Sequence, residues 1–207
     1  RGMESVTLKT VRMELSVPRE SDIDEIFEAC QDAATQRYTT VPSPYTRVHA
    51  EEFIPRVAAH WAEGVHLTWA MRQGDALAGT IGLYRLDGSG SGELGYWVSP
   101  WSRRRGLIVE AGKAVIDWGF SPEGPGLARI EWRAVVGNPA SHRVAQRLGF
   151  QRVRGELQLP AHSARLRSRL HALGAVLFLQ VVTSRRSCVT IYLTYIVVAG
   201  KGLLPGY

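Results

Sequence analysis

Glu93-Leu94-Gly95-Tyr96-Trp97-Val98-Ser99-Pro100-Trp101-Ser102-Arg103-Arg104-Arg105-Gly106-Leu107-Ile108-Val109-Glu110-Ala111-Gly112 is the stretch that decides the fold. Leu94, Tyr96 and Val98 alternate with Gly95 and Trp97, which predicts a strand. Pro100 ends it, because proline has no N–H to give to a sheet ladder. Three arginines and Gly106 follow, and then Leu107, Ala111, Ala114, Val115 and Trp118 recur at helical spacing. A strand, a short basic loop with a glycine and a helix together make an anion site. The first helical N–H groups have no partner within the helix, and the helix dipole favours negative charge there. Gly106 allows a ligand close to the backbone, and successive loop N–H groups form a concave nest. A plain strand-to-helix turn with solvated arginines has the same pattern, so a second signal is needed.

That signal lies about thirty residues on, in Asn138-Pro139-Ala140-Ser141-His142-Arg143-Val144-Ala145-Gln146-Arg147-Leu148-Gly149-Phe150. It follows an expected strand, Arg129 to Val136, with Ile130, Trp132 and Ala134 on one face. Asn138 caps a short helix with Pro139 at its preferred first position, and Gly149 ends it in the left-handed conformation.

Arg103 to Ile108 resembles motif A of the GNAT acetyltransferases, Q/R-x-x-G-x-G/A, and Glu93 to Val98 resembles the strand before it in the RimJ/RimL-type branch. The second block is similar to that branch's N-x-x-S-x-x-V-x-x-x-x-G-F signature. The resemblance spans residues 8–157 of one expected domain, 1–207, with 158–207 an atypical basic segment that supplies a closing strand. Two departures stand out: Ile108 replaces a small residue, and Arg104 stands where glycine is frequent. The resemblance implies an α+β GNAT fold, a mixed, mostly antiparallel twisted sheet of six to seven strands flanked by helices and splayed between strands 4 and 5.

The resemblance also implies acetyl-CoA as co-substrate and a primary amine as acceptor, either a protein N-terminus or a small molecule, acetylated by direct attack in a ternary complex. It assigns the pyrophosphate to Arg103, Arg104, Arg105, Gly106, Leu107 and Ile108. It assigns Asn138 a hydrogen bond to the pantetheine arm, with which backbone groups of Trp97 and Val98 can pair as another strand would. Arg143 either reaches a phosphate or belongs to a solvated helix face. Glu93 takes the amine's proton through water, or is a solvated strand-end glutamate. Ser141 meets the leaving thiolate, or merely decorates a helix start; Ala145 stands where many relatives place a tyrosine acid. A CoA-binding or interaction module that has lost turnover is the alternative that Ile108 and Arg104 suggest.

Composition bounds the remaining classes. A chain of 207 residues is long enough for one well-buried domain. Its two cysteines, Cys30 and Cys188, make neither a disulfide framework nor a metal spacing, so no metal is expected. No basic region followed by an apolar core opens the chain, and a cytoplasmic location is expected. Charge is split: residues 1–151 hold 17 basic and 18 acidic residues, residues 152–207 hold 8 and 1. That basic end lacks a helical stripe with interleaved aromatics, which argues against nucleic acid. Its apolar runs, Ala175 to Val182 and Val189 to Ala199, are too short to span a membrane. The second is a good strand, and an exposed edge there would favour a homodimer.

Upstream, Leu8 to Val17 reads as a first strand and Ser21 as a helix cap. Ile23, Ile26, Phe27 and Cys30 form one apolar face. Thr46 caps a helix whose inward positions are Phe53, Val57, His60 and Trp61. By resemblance this region and its loop border the acceptor. Leu67 to Met71 and Leu77 to Leu86 form a hairpin across Gln73-Gly74-Asp75.

Overall fold

The hairpin read at residues 67–86 is the centre of the sheet. A computed structural model describes residues 2–135 and 137–150, and the backbone of two later strands at 176–184 and 193–196. In chain order the elements are β1 (Leu8–Lys9), β2 (Glu14–Ser16), α1 (Ile23–Ala29), α2 (Ala33–Tyr38), α3 (Arg47–Glu63), β3 (Leu67–Gln73) and β4 (Ala76–Tyr84). There follow β5 (Ser91–Val98), α4 (Leu107–Phe120), β6 (Arg129–Val135), α5 (Pro139–Arg147), β7 (Val176–Ser184) and β8 (Leu193–Ile196). The described strands lie side by side in chain order, antiparallel throughout except for the parallel pair β5/β6.

This is the expected α+β fold with more, shorter strands. Leu8 to Val17 is not one strand: it folds back on itself, with Thr10 N–H donating to the Met13 carbonyl (2.9 Å) and the Thr10 hydroxyl to the same oxygen (3.2 Å). Ser21 does not cap a helix either. It lies in a 3₁₀ turn, Glu20–Asp22, where Asp22 Oδ2 accepts from Arg19 N–H at 2.8 Å. Two C-terminal strands appear where one was expected: the apolar run from Ala175 becomes β7, and β8 falls inside Val189 to Ala199. The loops and helix expected between Pro160 and Leu173 lie outside the described residues.

Two apolar clusters sandwich the sheet. On one face α4 lays Leu107, Ile108, Ala111 and Val115 against Trp69, Leu83, Leu94 and Ile130. On the other, Ile26, Cys30 and Tyr45 pack with Ala50, Ala70 and Leu77. Burial pushes the Cys30 thiol up to about 12, as suits a core residue rather than a nucleophile. A buried ion pair ties the first turn to β3. Both Arg72 and Asp22 are sealed from solvent, with Arg72 Nη2 donating to Asp22 Oδ2 at 2.6 Å and Nε to Ser16 Oγ at 2.9 Å. Among the described residues, no helix is long and apolar enough to cross a membrane.

Candidate active site

β5 and β6 are paired only at their beginnings. Their register runs from Ser91↔Arg129 to Leu94↔Trp132 and stops, while β5 continues beside β4 to Val98↔Gly79. The two strands therefore part after Leu94, and the far half of β5 borders an opening. Which backbone groups face it follows from strand geometry. The Trp97 carbonyl lies where a Cβ on Gly79 would sit, on the β4 side. Successive residues point their amide groups to opposite sides, so Tyr96 and Val98 face the opening and Trp97 does not. Val98 thus presents its amide to the opening, whereas the backbone of Trp97, expected to make the same contact, faces β4. Val98's carbonyl also accepts from Arg103 Nε at 3.3 Å, leaving its N–H for the opening.

At the upper end of β5 the chain is pinned before it turns. Ser99 N–H donates to Ala78 O (2.9 Å), and Ser99 Oγ and Trp101 Nε1 both donate to Leu77 O. Gly106, at φ 74°, starts α4. The first intrahelical bond runs from Glu110 N–H to the Gly106 carbonyl (3.3 Å), so the N–H groups of Leu107, Ile108 and Val109 stand ahead of the ladder. A Cβ on Gly106 would meet only Arg12 Nη2, at 3.8 Å, so the approach to this helix start is open. Ile108 turns into the core and is 8% exposed. Its side chain is thus kept off the approach.

The three arginines do different things. Arg104 and Arg105 are exposed, and Arg104 holds φ 61°, a left-handed conformation that favours glycine. Arg103 turns back across the loop. Its Nη2 donates to Asp32 Oδ2 (2.6 Å) and Thr35 Oγ1 (3.0 Å), which spends its guanidinium on the start of α2. That bond chiefly holds the Asp32 carboxyl below its usual range. Arg12, which the sequence reading passed over, clamps the loop from the β1–β2 turn. Its Nε donates to Glu110 Oε2 at 2.7 Å and its Nη1 to the Arg105 carbonyl at 2.9 Å.

At the lower end Glu93 is largely enclosed, its side chain 18% exposed. Burial raises its pKa, against the pull of Arg133 and Arg85, whose guanidinium nitrogens lie 3.4 and 3.3 Å from Oε2. Glu131, its register partner on β6, adds to the upward push. These neighbours were legible in principle: Glu131 and Arg133 alternate on the same face of β6 as Glu93 does on β5.

Ser141 stands on the opposite face of β5. Leu94 on that face is in the α4 cluster, and Tyr96, two residues on, has its hydroxyl 2.8 Å from Ser141 Oγ. Asn138 Oδ1 accepts from Ser141 N–H at 3.1 Å, which leaves its NH₂ unspent by the cap. Arg143 is exposed on α5. The structure thus brings Tyr96, Asn138 and Ser141 together, and sets Glu93 on the far side of the same strand. No group of three or more His, Cys, Asp or Glu side chains among the described residues is placed to hold a metal.

A family model described as acetyltransferase (GNAT) domain matches residues 12–151. The chain belongs to the GNAT N-acetyltransferase family. This GNAT chain is 30% identical over 148 residues to the uncharacterized N-acetyltransferase YoaA of Bacillus subtilis (strain 168), covering 70% of this chain and 82% of YoaA. Its fold is similar to that of RimL, the ribosomal L7/L12 alpha-N-protein acetyltransferase, in complex with coenzyme A. There the TM-score is 0.63 at 18% identity, over 72% of this chain and 84% of that one. It is also similar to the microcin C7 self immunity acetyltransferase MccE in complex with acetyl-CoA and AMP, with a TM-score of 0.61 at 17% identity over 68% and 79% of the two chains.

Proposed function

We propose that the protein transfers acetyl from acetyl-CoA to a primary amine, a protein N-terminus or a small-molecule amine, by direct attack in a ternary complex. The observation that carries this is the parting of β5 from β6 after Leu94 and Trp132, directly below an open helix start at Gly106. An amide-rich arm can lie along the free edge of β5 as another strand would, using Tyr96 and Val98. The N–H groups of Leu107 to Val109 suit its pyrophosphate, with Arg104 and Arg105 adding screened attraction. Asn138 offers its NH₂ to the arm.

The proton work divides by face. Glu93 takes the amine's proton through water on one side of β5, and its raised pKa brings it nearer the range a base needs at neutral pH. Ser141 lies on the other side, where its hydroxyl meets the departing sulfur. The resemblance to RimL-type proteins supports the peptide N-terminus as acceptor; the MccE likeness supports a small molecule. Turnover of acetyl-CoA against a panel of peptides and small amines tests the reading. Glu93→Gln and Ser141→Ala should each lower kcat by about 10²–10⁴-fold with CoA affinity kept. Near-native kcat in both would sink the assignment.

A second reading draws on the ion-paired state of Glu93: two guanidiniums beside the carboxylate compete with a substrate amine for it. A CoA-binding module without turnover would bind CoA in calorimetry and acetylate nothing on the panel.

A further inference from the structure

The backbone of Tyr96 is the part that faces the opening and suits the donor's arm. Its side chain nevertheless occupies the point where the sheet opens. Leu94↔Trp132 is the last pair joining β5 to β6, and Tyr96 is the next residue on the same face. Its hydroxyl lies 2.8 Å from Ser141 Oγ on α5. Trp132, the last β6 residue paired with β5, is sealed in the core close to the same hydroxyl. One phenol therefore links β5 to α5 at the point where β5 leaves β6.

The chemistry of these groups gives the link a direction. A phenol is a stronger acid than an aliphatic alcohol, so of the two hydroxyls Tyr96 is the better donor and Ser141 the better acceptor. The phenol's own hydrogen then has Ser141 Oγ as its acceptor. Ser141 receives at its oxygen, and its hydrogen is left over and free to turn into the opening. The backbone of Ser141 is fixed by Asn138, so the hydroxyl is held at both ends of the residue. Hydrogen bonds in such a chain polarise one another, which makes the last O–H a better donor.

We propose that Tyr96 is a positioning residue for acetyl transfer, setting the Ser141 hydroxyl as a hydrogen-bond donor to the sulfur that leaves the acetyl group. This rests on the acetyltransferase reading above. In the step it serves, the amine nitrogen bonds the acetyl carbon and the C–S bond breaks with its electron pair going to sulfur. The proton lost by the amine passes through water to Glu93 and on to solvent, and the thiolate takes a proton from solvent in its place. Tyr96 and Ser141 stabilise the developing charge on sulfur and finish the cycle with their protons in place.

The test is a double-mutant cycle on the full chain, with Tyr96→Phe, Ser141→Ala and both, read as kcat, CoA affinity by calorimetry, and melting temperature. Tyr96→Phe keeps the ring and removes only the hydroxyl. The expected result is a loss of about tenfold in kcat, unchanged CoA affinity, and no further loss from Tyr96→Phe once Ser141 is alanine. A purely structural phenol would instead move the melting temperature or CoA affinity, or lower kcat by the same factor in both backgrounds. Either outcome overturns the proposal, as does a Tyr96→Phe kcat within twofold of wild type. If the wild type turns over no amine on the panel, the acetyltransferase reading fails and takes this inference with it. If the wild type is active and Tyr96→Phe is silent, only the inference fails.

Discussion

Arg104 stands at φ 61°, where an L side chain crowds the following carbonyl and glycine does not. Arg104→Gly should therefore leave stability unchanged or raise it by up to about 1 kcal/mol, whereas glycine in an ordinary position costs about that much. Chemical denaturation checks it, and a clear loss would mean that the arginine side chain has a contact worth more than the strain. Glu93 gives a prediction in pH. Its pKa is raised chiefly by burial, so the basic form that the proposed role calls for appears only above the ordinary glutamate range. The acid limb of kcat/KM is expected there, and activity falls as pH drops through it. Arg133 works against that rise. Replacing it in Arg133→Met removes a cation 3.4 Å from the carboxylate and should move the limb to still higher pH. A limb that stays where it was would remove Glu93 from the base role.

Among the elements, the short first turn depends on one pair of charges more than on its own sequence. Asp22 and Arg72 are 4% and 3% exposed, and the guanidinium reaches Asp22, Ser16 and the Val17 carbonyl at once. Removing one partner strands the other's charge in the core. Arg72→Ala or Asp22→Asn should cost about 3–5 kcal/mol, measurable as a fall in denaturation midpoint. Replacing the pair together by apolar residues should cost less than either single change. This bond also explains why the Ser21 cap failed as an expectation. Local capping favoured serine, but Asp22 is needed both for Arg19 N–H and for β3, and the turn tightens to present it. The helix starts at Gly106 and Asn138 were legible because their signals are local: a glycine that must be left-handed, and a side-chain cap three residues from its donor.

For the whole molecule, legibility followed range. Alternation in residues 67–98 and the two helix starts gave the centre of the sheet, since period and capping are written within a few residues. What escaped was tertiary. Nothing in the triple arginine says that Arg103 faces α2 while Arg104 and Arg105 face solvent, nor does Thr10 to Met13 advertise a turn that brings Arg12 to Glu110. Tyr96 was read as one apolar position of a strand, and its partnership with Ser141 needed the fold to exist. The Arg103 contact has a consequence of its own. One guanidinium grips the Val98 carbonyl at the edge of the opening and the first turn of α2, which leads into the loop before α3, the region expected to border the acceptor. If the acceptor rests on that loop, the two half-sites share a joint. Whatever firms the loop around a diphosphate firms α2, and by thermodynamic reciprocity an acceptor resting there tightens the donor by the same factor. Kinetically this is synergy: the dissociation constant of each substrate should fall when the other is bound, and Asp32→Asn should bring that factor toward one. Because Arg103 holds the Asp32 carboxyl below its usual range, the coupling should persist as pH falls through ordinary aspartate values and vanish only beneath them.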